Sequence, residues 1–481
     1  MARPAFAEYL TASRSGDPGA LDRAMSRLLF LPQRALVKKR GGTKGRYRRQ
    51  LDRALEGALE QISATGSLVP PSSPSCCSDS KATCPPVLSA MSPASPAMSS
   101  ARLEIPPVLA SSPPASSQGP RPRVQDDPAL SFSPLAAPTH PLVGFDRSKS
   151  FAALQLIKAG HLSKASSRLT SLGSLPRSTS TAEALQQLHP TSVMDMPPPP
   201  AVSHVLIIDD EHLRQALDKC ANGSGPGASG WTGDLLLPLS RDPVIMPAIK
   251  AMVDDLVHAR LGPDVSDLLR LSLLSALKKK PGSPTPRPVA NGELFTKLAA
   301  TYLLFHIGLD TLCACFPEIQ LAWQKGGVER AIHLIQSWID APSAPSLLIS
   351  ADATNAFNTR ERAHILVALY AKEELSPLFV FSFWLYGKAS LLLFRLADGS
   401  FSRIVSAQGV RQGCVLGSFL FSLSMQPLYR FATDAAPVVS TAIIDDFHIF
   451  GDAFSALAAY DAYVAITTET DSGISLHPTK K

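Results

Sequence analysis

Apolar positions in residues 148–159 and 162–172 recur at helical spacing and predict two short helices, which a third follows. Phe151, Leu154 and Ile157 share one face of the first helix, which we expect to end near Gly160. Residues 162–172 repeat the pattern, and a capping box at 180–183 opens the third helix. Consecutive prolines at 197–200 then separate this short helical region, 141–200, from residues 201–481.

Two apolar stretches later in the chain lead directly into acidic residues. Residues 346–351 predict a short strand that ends at Asp352. Residues 441–451 are apolar on both sides of Asp445 and Asp446. That pattern predicts a β-hairpin with an Asp-Asp turn, which puts both acids at the tip.

The segments around these acids predict helices and tight turns. Residues 358–361 form a capping motif before an amphipathic helix, and the glycine-rich loop at 408–417 leads into an apolar helix at 418–429. Residues 390–406 predict a further hairpin with Asp398 and Gly399 in its turn.

One apolar run supports two interpretations. Residues 205–211 end in three acids and could open a phosphate-accepting domain or hold a metal ion. Alternatively, Asp209 is the N-cap of a helix whose first turn is acidic, as is usual for helices. We favour the cap because no alternation of strands and helices follows.

Composition divides the N-terminal part of the chain in two. Residues 61–140 contain 34 Ser or Pro. This leaves too few apolar residues to offset the conformational entropy of the chain, so we expect a disordered linker. Residues 1–60 have a net charge of +7, and we interpret them as a basic helical arm. The charges at 34–53, including Lys38, Lys39 and Arg40, suit nucleic-acid contact or nuclear import, although a solvated tail is equally compatible.

Several classes of protein are disfavoured by composition. The chain has no apolar run of about 18 residues, so we expect no membrane span. It has no apolar N-terminal signal segment, and its seven cysteines are too few for a disulfide scaffold. We therefore expect an intracellular protein with reduced thiols, located in the nucleus if the basic arm is an import signal.

The acids match a known chemical requirement. Transfer of a nucleotide uses two Mg²⁺ ions about 4 Å apart that clamp the attacking and leaving oxygens. Mg²⁺ prefers carboxylate oxygens and keeps some waters, so two or three acids on rigid elements suffice. One acid after a strand and an acid pair at a hairpin tip form such a set.

In this order, the segments resemble reverse transcriptases of the non-LTR retrotransposon type, from near Gly225 to the C-terminus. The segments around Asp352, Gln412 and Asp445 resemble motifs A, B and C. Residues 227–232 resemble the segment that leads into the domain, and residues 277–280, 287–290 and 297–298 resemble the fingers motifs. Residues 320–333 also fit the family, and residues 473–480 resemble the start of motif D. The sequence ends just inside motif D, so by this resemblance the thumb of the family would be absent.

The resemblance implies a role for each matching residue. Asp352, Asp445 and Asp446 would be catalytic and would bind two Mg²⁺ ions, or Mn²⁺, with the Ala353 carbonyl as an extra ligand. Phe357 would reject a ribose 2′-OH, unless it is an ordinary core residue. The residues that would contact the nucleotide are Lys279, Lys280, Arg287, Gln412, Gly413 and Lys480. The alternative for Arg287 is an ordinary surface loop residue, and for Lys278 to Lys280 a solvated helix end. The residues that would contact the nucleic acid are Lys297 and Arg411, with Lys38, Lys39 and Arg40 of the arm.

The resemblance also implies an α+β fold: a polymerase palm with an antiparallel sheet and helices on one face, and α-rich fingers, at 201–481. The implied activity is RNA-directed DNA polymerisation, with an RNA template, a DNA primer and dNTPs as partners and no membrane. The alternative is an inactive retroelement remnant that binds nucleic acid. The sequence leaves the oligomeric state open.

Overall fold

The computed structural model describes residues 2–32, 147–158, 160–192, 194–201, 205–341 and 347–476 of the protein. The predicted linker at 61–140, the basic residues Lys38, Lys39 and Arg40, and Lys480 all lie outside these residues. Within the described part, no helix combines the length and the apolar character that crossing a membrane requires.

The described residues form an α+β fold. Its helices are α1 (Ala2–Ser15), α2 (Pro18–Leu29), α3 (Arg147–Lys158), α4 (Leu162–Thr170), α5 (Thr179–Gln187), α6 (Asp210–Cys220), α7 (Gly233–Leu239), α8 (Ile245–Val257), α9 (Pro263–Arg270), α10 (Leu294–Ile307), α11 (Leu309–Ala314), α12 (Gly327–Ile339), α13 (Ala356–Thr359), α14 (Arg362–Tyr370), α15 (Phe379–Tyr386), α16 (Gly417–Asp434) and α17 (Ala453–Glu469). Its strands are β1 (Ser272–Lys278), β2 (Pro286–Gly292), β3 (Leu347–Ala351), β4 (Ala353–Thr354), β5 (Ser390–Arg395), β6 (Phe401–Ser406), β7 (Val439–Ile443), β8 (Asp446–Gly451) and β9 (Ser475–Leu476). Short 3₁₀ helices occur at Leu321–Trp323 and Glu373–Leu378.

The strands form three small sheets. β3, β8 and β7 lie in that order in an antiparallel sheet, which we call the palm sheet. A four-stranded sheet has the order β2-β1-β5-β6 and is antiparallel except between β1 and β5. Its β5–β6 hairpin confirms the one predicted at 390–406. The short strands β4 and β9 form a separate antiparallel pair.

Helices cover both faces of the palm sheet. Phe447 of β8 is fully buried and stacks on Tyr429 of α16, with the ring of Tyr463 from α17 at 5.1 Å. Alternate strand residues point to opposite faces, and Phe450 meets Trp338 of α12 with ring centroids 5.2 Å apart. The predicted α+β fold with an antiparallel palm sheet is confirmed, and α12 in addition covers the apolar side chain of Phe450 on the second face.

The N-terminal helices belong to the main hydrophobic core. Phe6 and Tyr9 of α1 and Leu28 of α2 are fully buried, and the Phe6 ring lies 6.0 Å from that of Trp231. The Tyr9 hydroxyl donates to the buried Asp255 of α8 at 2.8 Å. The assignment of residues 1–60 to one separate arm needs correction, because its first half buries an apolar face in the core.

The three helices predicted at 148–159, at 162–172 and from the capping box at 180–183 are present as α3, α4 and α5. The third begins earlier than predicted, because Ser178 rather than Ser180 is the N-cap and accepts a hydrogen bond from the Thr181 N–H. Leu185 of α5 is fully buried in a cluster with Leu392 of the four-stranded sheet. Residues 174–189 therefore pack on this sheet rather than forming a region of their own.

Two further caps test the sequence interpretation. Asp209 is the N-cap of α6 and accepts from the His212 N–H at 2.8 Å, which confirms the cap interpretation of 205–211. The capping motif predicted at 358–361 is wrong. Residue 358 lies inside the short helix α13, and α14 starts only at Arg362, with Glu361 as an N-cap that makes no side-chain cap bond.

Candidate active site

The hairpin that contains Asp445 has a two-residue turn. Ile443 pairs with Asp446 as the last rung of the β7–β8 ladder, so Ile444 and Asp445 form the turn itself. The predicted hairpin is confirmed, but its turn is Ile-Asp rather than Asp-Asp. Asp446 is the first residue of β8 and its side chain is exposed, whereas Asp445 is half-buried.

Asp352 reaches the same place from the neighbouring strand. The β3–β8 ladder ends with Ala351 opposite Phe447, and one further residue in that register sets Asp352 opposite Asp446. Burial raises the pKa of Asp445, and the negative charges of Asp446 and Asp352 raise it further. The structure therefore brings the three predicted acids together within electrostatic range.

These acids have the ligand chemistry that Mg²⁺ prefers, but they do not form a complete set of ligands by themselves. Among the described residues, no three His, Cys, Asp or Glu side chains converge closely enough to form a ready metal-binding group. Mg²⁺ commonly binds through one or two carboxylates, and water and substrate phosphates complete its shell. The mutual repulsion that raises the pKa of Asp445 is what a bound cation would relieve. Ala353, the predicted carbonyl ligand, is buried in β4 opposite Leu476.

The predicted triphosphate ligands lie on one hairpin of the four-stranded sheet. Lys279 and Lys280 directly follow β1, and Arg287 in β2 pairs with Leu277. All three side chains are exposed. The positive charge of Lys279 acts on Asp445 and opposes the rise in its pKa, so the tip of this hairpin is close to the acids.

Phe357 lies directly beneath the glycine-rich loop. Its ring stacks on Phe421 of α16 with centroids 4.6 Å apart, and its carbonyl accepts from the Val410 N–H at 2.6 Å. The ring is half-buried, so one part packs on the core and the rest remains accessible. This placement is compatible with both sequence interpretations of Phe357.

The glycine-rich loop also contacts the four-stranded sheet. The Gln412 carbonyl accepts from the Ala290 N–H at 2.7 Å. Gly413 has φ +105°, and a Cβ there would lie 2.6 Å from the Ala290 carbonyl oxygen. Only glycine allows this approach. With the Val410 bond to Phe357, the loop therefore joins the β1–β2 hairpin to the segment after β3.

Arg411 is placed differently from its prediction as a nucleic-acid ligand. The residue is 6% exposed, and its guanidinium donates to the Arg270 carbonyl and lies 5.3 Å from the Tyr386 ring centroid. In this position it anchors the glycine-rich loop from below and cannot reach a phosphate. No local sequence signal indicates this burial, because it comes from α9 and α15, far away along the chain.

A cleft of about 840 Å³ opens beside the glycine-rich loop. Lys297, Asn291 and Gly413 line it, together with apolar residues that include Trp323. The Lys297 ammonium donates to the Asn291 side-chain oxygen, and burial lowers the pKa of Lys297. Lys297 is thus a member of the predicted nucleic-acid set that lines this cleft.

Two arginines with structural importance were missed in the sequence. Arg362 is 1% exposed and donates to the Gly409 carbonyl and the Ser406 hydroxyl, each at 2.8 Å. Burial lowers its pKa to about 9. Arg360 is also buried, and its guanidinium donates to the Ser472 carbonyl at 2.9 Å. The available signal was the position of Arg362 on the apolar face of α14, at helical spacing before Ile365.

Comparison with known proteins finds a similar protein from a retrotransposable element. No protein-family model matches the chain. The chain is 30% identical over 251 residues to the "Retrotransposable element SLACS 132 kDa protein" of Trypanosoma brucei gambiense. The match spans 52% of this chain and 21% of that protein's length, so the chain corresponds to about a fifth of the relative. The motifs, the fold and this similarity together support a retrotransposon-derived, reverse-transcriptase-like region in this chain.

Proposed function

We propose that the protein is an RNA-directed DNA polymerase that adds dNTPs to the 3′-OH of a primer paired with an RNA template. The observation that supports the proposal most directly is the meeting of Asp352, Asp445 and Asp446 at the ends of neighbouring strands, with Lys279 within electrostatic range.

In this proposal, the acids hold two Mg²⁺ ions. When bound, the ions supply charge stabilisation for the in-line displacement at the α-phosphate. The chain itself supplies position: Asp352 and Asp445 lie on strand ends that are fixed by the palm sheet, and their separation follows from the strand register.

The remaining assigned residues surround the incoming nucleotide. Lys279, Lys280 and Arg287 are exposed cations on one hairpin, suited to bind the triphosphate. The Phe357 ring is fixed by stacking on Phe421 and would leave no room for a 2′-hydroxyl. Gln412 and Gly413 would frame the nucleotide and the template base, since their loop is held against β2.

The nucleic acid would follow the cleft that Lys297 lines. Phosphate contacts provide most of the non-specific affinity for nucleic acid, so binding should weaken as salt is raised. The partners in this proposal are an RNA template, a DNA primer and dNTPs.

The test is primer extension on an RNA template with Mg²⁺, comparing the wild-type chain with Asp445→Asn. The substitution keeps the shape and removes the charge, so we expect extension to fall by at least about 100-fold. Asp461→Asn, an exposed acid on α17, is the matched control and should extend normally.

Template–primer binding is measured in parallel by fluorescence anisotropy. A wild-type chain that binds the duplex but does not extend it would favour the alternative of a non-catalytic nucleic-acid-binding protein. Equal extension by Asp445→Asn and wild type would refute the assignment of Asp445.

A further inference from the structure

The turn before Asp445 has an unusual backbone conformation. Ile444 has φ +60°, in the left-handed region, where a β-branched residue is a genuine outlier. Such a conformation persists only where the surrounding structure over-determines it. Contacts to Ile444 therefore indicate what fixes the position of the next residue, Asp445.

A single side chain from outside the hairpin bonds both backbone groups of Ile444. The Gln320 side-chain oxygen accepts from the Ile444 N–H at 2.8 Å, and its side-chain nitrogen donates to the Ile444 carbonyl at 3.0 Å. Gln320 is fully buried, and 124 residues separate it from Ile444 along the chain. Its amide therefore closes a two-point clamp on the turn.

The backbone around Gln320 is joined to the same hairpin. The Ala442 N–H donates to the Ile319 carbonyl at 2.8 Å, which adds a parallel bridge between Gln320 and Ala442 at the edge of β7. The Gln320 side-chain oxygen also accepts from the Ala322 N–H at 3.2 Å, which fixes its rotamer. The Gln320 side chain is thus held by contacts other than its two bonds to Ile444.

Tyr429 supplies a third contact. Its hydroxyl donates to the Ile444 carbonyl at 2.9 Å, and its ring stacks on Phe447 with centroids 4.5 Å apart. The carbonyl therefore has two donors, whereas Gln320 is the partner of the N–H. Loss of the Gln320 amide would leave the Ile444 N–H without this partner, whereas the Ile444 carbonyl would keep its bond to Tyr429. The φ angle of Ile444 would then lose the restraint that acts through its N–H.

We propose that Gln320 is a positioning residue that holds the Ile444–Asp445 turn in its left-handed conformation and so aims Asp445 at the reacting centre. An amide is required because one side chain must both donate and accept without introducing a charge beside three acids. This inference rests on the proposed function for its kinetic consequence, but its structural part does not.

The kinetic test compares Gln320→Met with Gln324→Met in primer extension. Methionine matches the length of glutamine and makes neither bond. Gln324 is the matched control, because its side-chain nitrogen donates to the Cys313 and Phe316 carbonyls in the same segment but does not touch the turn. We expect Gln320→Met to lower kcat about 10- to 100-fold with little change in KM for dNTP, since misplacement of a reacting group mainly affects chemistry. Gln324→Met should lower stability to a similar extent and leave kcat unchanged.

A second-site change separates positioning from general support. Glycine adopts positive φ without strain, so Ile444→Gly should recover part of the kcat lost in Gln320→Met. Tyr429→Phe should cause a smaller loss than Gln320→Met, because the carbonyl keeps its bond to Gln320. Equal kcat in the wild type and Gln320→Met would overturn the proposal.

Hydrogen exchange tests the clamp without any activity. In the wild type the Ile444 amide should exchange slowly, and Gln320→Met should accelerate it at least about tenfold while Gln324→Met does not. Unchanged protection in Gln320→Met overturns the inference even if the protein is an active polymerase. If Gln320→Met loses this protection but the wild-type chain fails to extend primers, the clamp is supported and only the proposed function is refuted.

Discussion

Gly409 lies where the glycine-rich loop meets the segment after β3. Its replacement by alanine should destabilise the protein more than alanine at a glycine with open space around it. Gly409 has φ +63°, and an added Cβ would lie 2.2 Å from the Phe357 carbonyl oxygen and 2.4 Å from the Asn358 carbonyl carbon. Both neighbours are backbone atoms, so no side-chain rotation can relieve the overlap. The loop would have to withdraw by about 1 Å, to an ordinary van der Waals separation.

The cost can be worked out from the contacts that this movement breaks. Gly409 donates its N–H to the Arg360 carbonyl at 2.9 Å, and the next N–H, of Val410, donates to the Phe357 carbonyl at 2.6 Å. Two backbone hydrogen bonds contribute about 0.5–1.5 kcal/mol each. Alanine in the left-handed region adds about 1–2 kcal/mol. The free energy of unfolding should therefore fall by about 2–5 kcal/mol.

Gly16 is the matched control, because it has φ +69° and open space around its Cβ direction. Gly16→Ala should lose only the conformational part, about 1–2 kcal/mol, partly offset by a less flexible unfolded chain. Urea unfolding followed by tryptophan fluorescence gives both values. Equal losses in the two variants would refute the reasoning, since they would show that the loop does not press on the segment after β3.

Two further predictions concern buried polar groups. Tyr9→Phe removes the donor to Asp255 and should lower the free energy of unfolding by about 1–3 kcal/mol in urea denaturation; no loss would contradict the docking of α1 in the core. Burial raises the pKa of Glu293 above its ordinary value, so the native state binds this proton more tightly and stability falls as pH rises from about 4.5 through the folded pKa. Glu293→Gln should therefore gain stability relative to the wild type as pH increases, and a difference that stays constant with pH would contradict this assignment.

The strand ends and their acids could be predicted because the signals are local. Short apolar runs predict β3 and the β7–β8 hairpin, and the acids lie at the end of β3 and at the turn of the hairpin. The order of the motifs then placed Asp352 beside Asp445 by resemblance, and the strand register agrees with that placement.

The contacts that stabilise this site and the hydrophobic core could not be predicted, because they join residues far apart in sequence. Gln320 and Ile444 are 124 residues apart, and Tyr9 and Asp255 are 246 apart. Arg411 illustrates the same limit: a basic residue in a polar loop suggests a ligand contact, and only tertiary packing shows that its charge is turned inward.

The docking of α1 and α2 has a consequence for the integrity of the chain. These helices pack in the core through the Phe6 and Tyr9 contacts. A cut between residues 33 and 146 would therefore leave two pieces that remain associated, as in a split protein. The helices would also act as a removable cap, and a separately made peptide of residues 1–32 could rebind in their place.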